Sequence, residues 1–265
     1  MKAGQRLQLQ VKNPHLEICG ISDPGLLRTE NEDYIYLDQD GRFILLADGM
    51  GGHERGAEAS ETAIDVIKDF LSPKAIFERS KDINDVNSLP AIIVSLYSLI
   101  DEAVNKANTV LYQRNLTLKL DRFMGTTIAG LVLVEREYCL WFHIGDSRLY
   151  LMRNGNLKCL TTDHSAHKEW EEKGMKGREP EKNIITRAVG PREGVVSDIK
   201  WDNWKQDDFY ILCSDGLTDM ISDAEIASIM NENENIDKTT VNLVEAAIEA
   251  GGKDNISVIV CRVLS

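Results

Sequence analysis

The 265-residue sequence predicts an α/β domain in which mostly antiparallel β-sheet is layered with pairs of helices. Strand-like runs follow one another through connections too short for a crossover helix, which favours antiparallel pairing. Two tight-turn signals, Asp40-Gly41 and Asn154-Gly155, join such runs into hairpins. Two long helical patterns each carry one apolar stripe that only a packing partner such as a sheet can bury.

In chain order, residues 15–21 form the first predicted strand, and 34–37 and 42–47 pair through Asp40-Gly41. A helix from Gly56 to Leu71 places Ala63, Ile64, Ile67, Phe70 and Leu71 on one face. Residues 72–89 are a polar connector. Ser88 as N-cap and Pro90 in the first turn open a second helix, with Ile92, Ile93, Leu96, Leu99, Ile100, Ala103, Val104 and Ala107 on a broad stripe. Strands at 126–134 and 137–144 follow, then the hairpin of 147–152 with 156–160. Residues 168–182 are charged, Gly-punctuated and nearly free of apolar side chains, as in an exposed loop or flap. A strand at 209–214, helices at 223–230 and 239–250, the latter stopped by Gly251-Gly252, and a strand at 256–263 complete the chain. No segment is poor enough in order to divide it.

With 43% hydrophobic and 28% charged residues, the chain has the composition of a globular protein. Its 43 acids and 30 bases give a formal charge of −13. That acidity, without a Lys/Arg block, argues against nucleic acid or an anionic membrane as the main partner. No apolar run approaches the ~18 residues of a membrane span. The N-terminus alternates Leu with Gln and lacks the apolar stretch of a signal peptide, so a cytoplasmic location is expected. Five widely spaced cysteines, at 19, 139, 159, 213 and 261, read as reduced core residues. There is no Cys-x-x-Cys and no His-Glu-x-x-His. His164 and His167, in a polar segment, read as a surface pair.

One internal echo stands out: Phe43-Ile-Leu-Leu-Ala-Asp48-Gly49-Met50 and Tyr210-Ile-Leu-Cys-Ser-Asp215-Gly216-Leu217 both end a buried strand in Asp-Gly. Asp146, in Gly145-Asp146-Ser147, and Asp254, just before the last strand, occupy comparable places. A single Asp-Gly is ordinary turn chemistry, as at Asp40-Gly41. Several carboxylates gathered at one edge, however, repel one another unless a metal or proton sits among them, and a hard cation takes oxygen ligands of this kind. The stretch Asp48-Gly49-Met50-Gly51-Gly52-His53 fits neither Gly-x-Gly-x-x-Gly nor a P-loop. Upstream, Arg28 stands beside Glu30, Glu32 and Asp33, either as a locally neutralised loop or as a cation poised to clamp a phosphate beside a metal site.

Other chemistries fail on the same residues. No cysteine has an Arg six positions later, as a cysteine-dependent phosphatase needs. Asp38-Gln39-Asp40 is followed at once by a strand, where a phosphoaspartate enzyme needs a crossover. Gly145-Asp-Ser147-Arg-Leu149 lacks the closing Gly of a serine-hydrolase elbow.

Six ordered stretches resemble the metal-dependent protein phosphatases of the PPM, or type 2C, family in their compact bacterial form. They are Arg28-Thr-Glu-Asn-Glu32-Asp33, Ala47-Asp48-Gly49-Met50-Gly51-Gly52-His53, Met124-Gly125-Thr126-Thr127, His143-Ile-Gly145-Asp146-Ser147-Arg148, Ser214-Asp215-Gly216-Leu217 and Asp254-Asn255-Ile256-Ser257. The resemblance spans about Ile18 to Val263 and implies an α+β, four-layer α-β-β-α sandwich of two mostly antiparallel sheets flanked by helix pairs. It implies one phosphatase domain over residues 1–265, with a flap at about 165–182. The implied activity is hydrolysis of phosphoserine and phosphothreonine in proteins, by a metal-activated water attacking phosphorus in line, with two Mn²⁺ or Mg²⁺ ions. By motif position, Asp48 is shared by both ions, Gly49 offers its carbonyl, and Asp215 and Asp254 complete the first ion's set. Asp146 matches a ligand of a third, weaker ion. Glu32 and Asp33 hold metal-bound waters, with Asn255 supporting Asp254. Arg28 aligns with the residue that holds the substrate phosphate. His53 aligns with a proton donor to the leaving alkoxide, although Met50-Gly51-Gly52 separates it from the Asp-Gly. The implied partners are phosphorylated proteins and a cognate serine/threonine kinase, the implied state a monomer. A rival reading is a scaffold that binds phosphoproteins without turning them over. It would tolerate loss of Asp48, Asp215 or Asp254, and all three are present.

Overall fold

The computed structural model describes residues 5–51, 55–72, 74–75, 89–134, 138–232 and 235–264. Every strand pairing among them is antiparallel, as the short connections require. One sheet runs β1 (Leu7–Lys12), β2 (Leu16–Asp23), β12 (Ile256–Val263), β11 (Phe209–Cys213), β8 (Arg148–Arg153), β9 (Asn156–Cys159). The other runs β10 (Asp198–Asn203), β7 (Tyr138–Ile144), β6 (Ile128–Val134), β4 (Phe43–Met50), β3 (Asp33–Leu37), and the short β5 (Gly125–Thr126) pairs with the end of β4.

Three apolar layers separate four structural ones. Ile35, Leu46, Leu131, Leu149, Leu212 and Ile259 lie between the sheets. Helices α1 (Arg55–Phe70) and α2 (Leu89–Leu118) bury Ala63, Ile64, Ile67, Leu96, Ile100 and Val104 on the outer face of the β4 sheet. On the other outer face, α5 (Asp223–Glu232) and α6 (Ile236–Glu249) bury Ile226, Met230, Leu243 and Val244 against Val258 and Val260. The predicted stripes are these packed faces. The α-β-β-α sandwich follows because central strands such as β4 and β12 are apolar on both sides and need a layer on each.

The elements differ from expectation in instructive places. Strand β1 alternates half-buried and exposed residues on the edge of its sheet. β10 is also an edge strand, recognisable only through its residue-by-residue pairing with β7. The segment expected as loop at 168–182 begins with a short helix, α3 (Ala166–Glu172), capped by the Ser165 side chain accepting from the Lys168 N–H. The 126–134 strand breaks at Thr127 into β5 and β6. The Asn154-Gly155 turn has positive φ at both residues, 52° and 75°, whereas only Gly41 is left-handed in the other hairpin, which becomes a longer loop. Ser88 and most of the 72–89 connector lie outside the described residues. All five cysteines are free, and four are buried.

Candidate active site

The chain crosses between the sheets at one end of the sandwich. The Gly145-Asp146-Ser147 turn leads from β7 in one sheet to β8 in the other, and residues 24–32 lead from β2 to β3. Because neighbours are antiparallel, the end of β11 lies beside the starts of β12 and β8, which brings Asp215, Asp254 and Asp146 to the same end. Across the cleft, Asp48 near the end of β4 pairs in register with Asp33 at the start of β3. The helical turn α4 (Asp215–Thr218) starts at Asp215, a carboxylate on a helix N-terminus.

The main chain of Asp48 is held by two neighbouring threonines. Thr127 donates its N–H to the Asp48 carbonyl at 2.8 Å and accepts from the Asp48 N–H through Oγ1 at 2.9 Å. Thr126 Oγ1 donates to the same carbonyl at 2.8 Å. Thr127 Oγ1 also meets Ser147 Oγ at 2.7 Å, tying Asp48 to the turn that carries Asp146. Asn255 joins the two sides: its side chain accepts from the Glu32 N–H at 2.8 Å and donates to the carbonyls of Pro24 and Glu30 at 3.0 and 2.9 Å. The backbone N–H of Asn255 donates to Asp254 Oδ1 at 2.8 Å, and Arg28 donates to Asp254 Oδ2 at 2.6 Å. Glu32 Oε1 accepts from the Gly56 N–H at 3.0 Å, fixing the start of α1. Ser214 Oγ donates to Asp33 Oδ2 at 2.8 Å. Gly49 is required sterically, because a Cβ there would overlap the carbonyl oxygens of Gly56 and Glu32.

Electrostatically the group is incomplete. Burial first, and then Asp33, Asp215, Asp146 and Asp254, push Asp48 well above the usual carboxylate range. Burial and then Asp146, Asp254 and Asp33 do the same to Asp215. Asp33, 2% exposed, is pushed up to about 7 chiefly by burial. Asp146, 7% exposed, rises to about 6 through burial and then Asp163. Burial also raises Glu32. Among the described residues, Asp33 Oδ1 and Asp146 Oδ1 are buried oxygens without a hydrogen-bond partner. Oxygens that lack a donor, among acids that repel one another, fit a divalent cation. A cleft of about 460 Å³ opens beside them, lined by Asp146, Arg148, Asp163, Lys168, Asp215 and Asp219. Arg28, with half its side chain exposed, stands at the rim.

The fold thus gathers Arg28, Glu32, Asp33, Asp48, Gly49, Asp146, Asp215, Asp254 and Asn255, while His53 lies outside the described residues. Sequence reasoning missed the hydroxyl layer of Thr126, Thr127, Ser147 and Ser214. The Met124-Gly125-Thr126-Thr127 stretch was its visible trace. The surface reading of His164 is overturned: it is 6% exposed and stacks on His143, with ring centroids 4.5 Å apart.

Residues 28–247 match the protein phosphatase 2C family. The chain is 33% identical to protein phosphatase PhpP of Streptococcus pneumoniae over 251 residues, covering 92% of this chain and 96% of that one. The crystal structure of the serine/threonine phosphatase PstP/Ppp of Mycobacterium tuberculosis superposes with a TM-score of 0.80 at 29% identity, over 95% of this chain and 100% of that one. The catalytic domain of serine/threonine protein phosphatase PstP in complex with two manganese ions gives 0.77 at 31% identity, over 95% and 99% of the respective chains. This chain belongs to the protein phosphatase 2C family.

Proposed function

We propose that this chain hydrolyses phosphoserine and phosphothreonine in proteins, using divalent metal ions held by the acidic cleft. The observation that carries the reading is the convergence of Asp48, Asp215, Asp254 and Asp146, brought from distant parts of the sequence, with a buried oxygen of Asp146 unpartnered among the described residues. Asp48, the Gly49 carbonyl, Asp215 and Asp254 would hold the ions. Asp146, together with Asp215, would be available to a third ion. The donor set is all oxygen, which suits hard ions such as Mn²⁺ or Mg²⁺. When bound, a pair of such ions supplies a nucleophilic water at neutral pH and neutralises phosphoryl charge.

The chain's own residues do the rest. Glu32 and Asp33 would present oxygens to water around bound ions, and Asn255 fixes the 24–32 loop so that Glu32 and Arg28 keep their places. Arg28 offers its guanidinium to the phosphoryl oxygens from the rim, where its charge and fork geometry match the group. His53 is the proton donor to the leaving alkoxide, on the strength of its place in the motif. Residues 165–182 form a flap over a single domain, and one wall of the 460 Å³ cleft comes from it. No helix among the described residues is long and apolar enough to cross a membrane. We further place the protein in the cytoplasm as a monomer opposing a serine/threonine kinase.

Release of phosphate from p-nitrophenyl phosphate with Mn²⁺, with EDTA and Asp215→Asn as controls, tests this. Activity that depends on metal and collapses in the variant is expected. Metal-independent turnover, or full activity of Asp215→Asn, overturns it.

A further inference from the structure

We propose that His164 is a positioning residue, fastening the base of the 165–182 segment to the turn that carries Asp146. This rests on the reading of the acidic cleft as a metal-dependent phosphatase site. His164 grips Gly145, the residue before Asp146, twice. Its N–H donates to the Gly145 carbonyl at 2.9 Å, and its Nδ1 accepts from the Gly145 N–H at 3.1 Å. Gly145 needs that hold. It sits at φ +104°, and the opposite side of the turn packs on Thr127, whose hydroxyl supports Asp48.

The ring is itself held in place. It stacks on His143 at 20° between planes, and His143 Nε2 bonds the Thr162 carbonyl at 2.8 Å. Because Nδ1 accepts, the neutral ring carries its proton on Nε2, which faces Asp198 Oδ1 at 3.6 Å. Burial keeps the ring neutral by pushing its pKa down to about 4. Asp198 is anchored by Arg187 at 2.7 Å. The His164 carbonyl accepts from the Thr186 N–H, and the Ile184 carbonyl from the Ala166 N–H, both at 2.8 Å, so the two arms of the segment meet at this residue. The segment then supplies Ser165, His167, Lys168 and Glu171 to the wall of the cleft that Asp146 lines. One side chain therefore joins an acidic ligand to the wall beside it.

His143, His164 and Asp198 lie close enough together to suggest a metal centre of their own. The geometry opposes that. Nearly parallel rings aim their in-plane lone pairs side by side rather than at one point, and Arg187 already neutralises Asp198. Mechanical coupling is what the hydrogen bonds support.

The test compares His164→Leu, His164→Asn and His164→Gln in the full chain. Asn places an acceptor where Nδ1 stands, and Gln places one near Nε2. Calorimetric titration with Mn²⁺ is the readout, with kcat and KM on p-nitrophenyl phosphate and on a phosphothreonine peptide beside it. Loss of a group that orients a ligand weakens metal binding by about 10–100-fold. The expected result is at least about a tenfold loss at the weakest Mn²⁺ step in the Leu and Gln variants, with recovery in Asn. Unchanged Mn²⁺ binding in Leu, or equal loss in Asn and Gln, overturns the clamp. If Leu does not fold, the Asn and Gln pair decides alone. A wild-type chain that neither binds Mn²⁺ nor releases phosphate overturns the functional reading, and the clamp with it. An active wild type with indifferent variants sinks only the clamp.

Discussion

Two buried polar clusters lie within a few residues of each other, and they solve opposite problems. The acidic cleft gathers Asp33, Asp48, Asp146 and Asp215, while Arg28 is bound to Asp254 and Arg148 to Asp163, so burial and mutual repulsion push these acids upward. The histidine cluster places two neutral rings beside Asp198 and supplies its own countercharge in Arg187. One region must import positive charge and the other carries it. A buried charge without a partner is costly, so the first suits a bound cation, whereas the second already holds its own countercharge.

The comparison breaks most visibly at a carboxylate. Asp215→Asn should lower kcat at least about 100-fold, the equivalent of about 2.7 kcal/mol of lost charge stabilisation. The same change should raise the melting temperature in EDTA by about 2–4 °C, as expected for ~1 kcal/mol of relieved repulsion in a chain of this size. Phosphate release and scanning calorimetry give the two numbers, and a fall in both would mean that the acids are not in conflict. Arg28→Ala should raise KM for a phosphopeptide about tenfold or more, since a hydrogen bond to a charged group contributes about 1.5–3 kcal/mol. Mn²⁺ titration should be altered less. Equal loss of both would make Arg28 structural.

Acid sharpens the contrast, because the clusters titrate with opposite sign. Asp33 and Asp146 are raised to about 7 and about 6, so the metal-free folded chain binds more protons than the unfolded one and gains stability as pH falls from 8 toward 6. His164 is lowered to about 4, so its contribution is present above the unfolded value of about 6.5 and is lost as pH falls below it. Melting curves in EDTA should therefore rise as pH falls from 8 into the acid range, and below about pH 6.5 His164→Asn should rise more steeply than the wild type. A monotonic fall of the wild type from pH 8 would contradict the first half. The smallest effect belongs to Arg187→Gln. Its ion pair with Asp198 is about a third exposed on each side, so chemical denaturation should show a loss within about 1 kcal/mol.

Much of this was legible before folding. The stripe of Ile92, Leu96, Ile100 and Ala103 marked α2 because helical periodicity records burial on one face. The Asp-Gly ends of two apolar runs marked the cleft because a strand that stops in Asp presents an oxygen at the sheet edge. What stayed hidden was decided by partners. β10 carries mostly polar residues and is a strand only because β7 offers it an edge. His164 lies among polar neighbours, and nothing local shows that Gly145, nineteen positions earlier, covers it. The threonine and serine hydroxyls are common residues whose roles depend on which carbonyl or carboxylate arrives beside them.

By itself, the order of residues determined most of the strands and helices, which of their faces turn inward, and which acids stand at strand ends, because each is a local or periodic property of the chain. Only the tertiary structure decided that Asp48, Asp146, Asp215 and Asp254 share one cleft and that His164 is interior. Antiparallel pairing and the crossing of the chain between sheets set those distances, and the pairing of β2 with β12 joins segments more than two hundred residues apart.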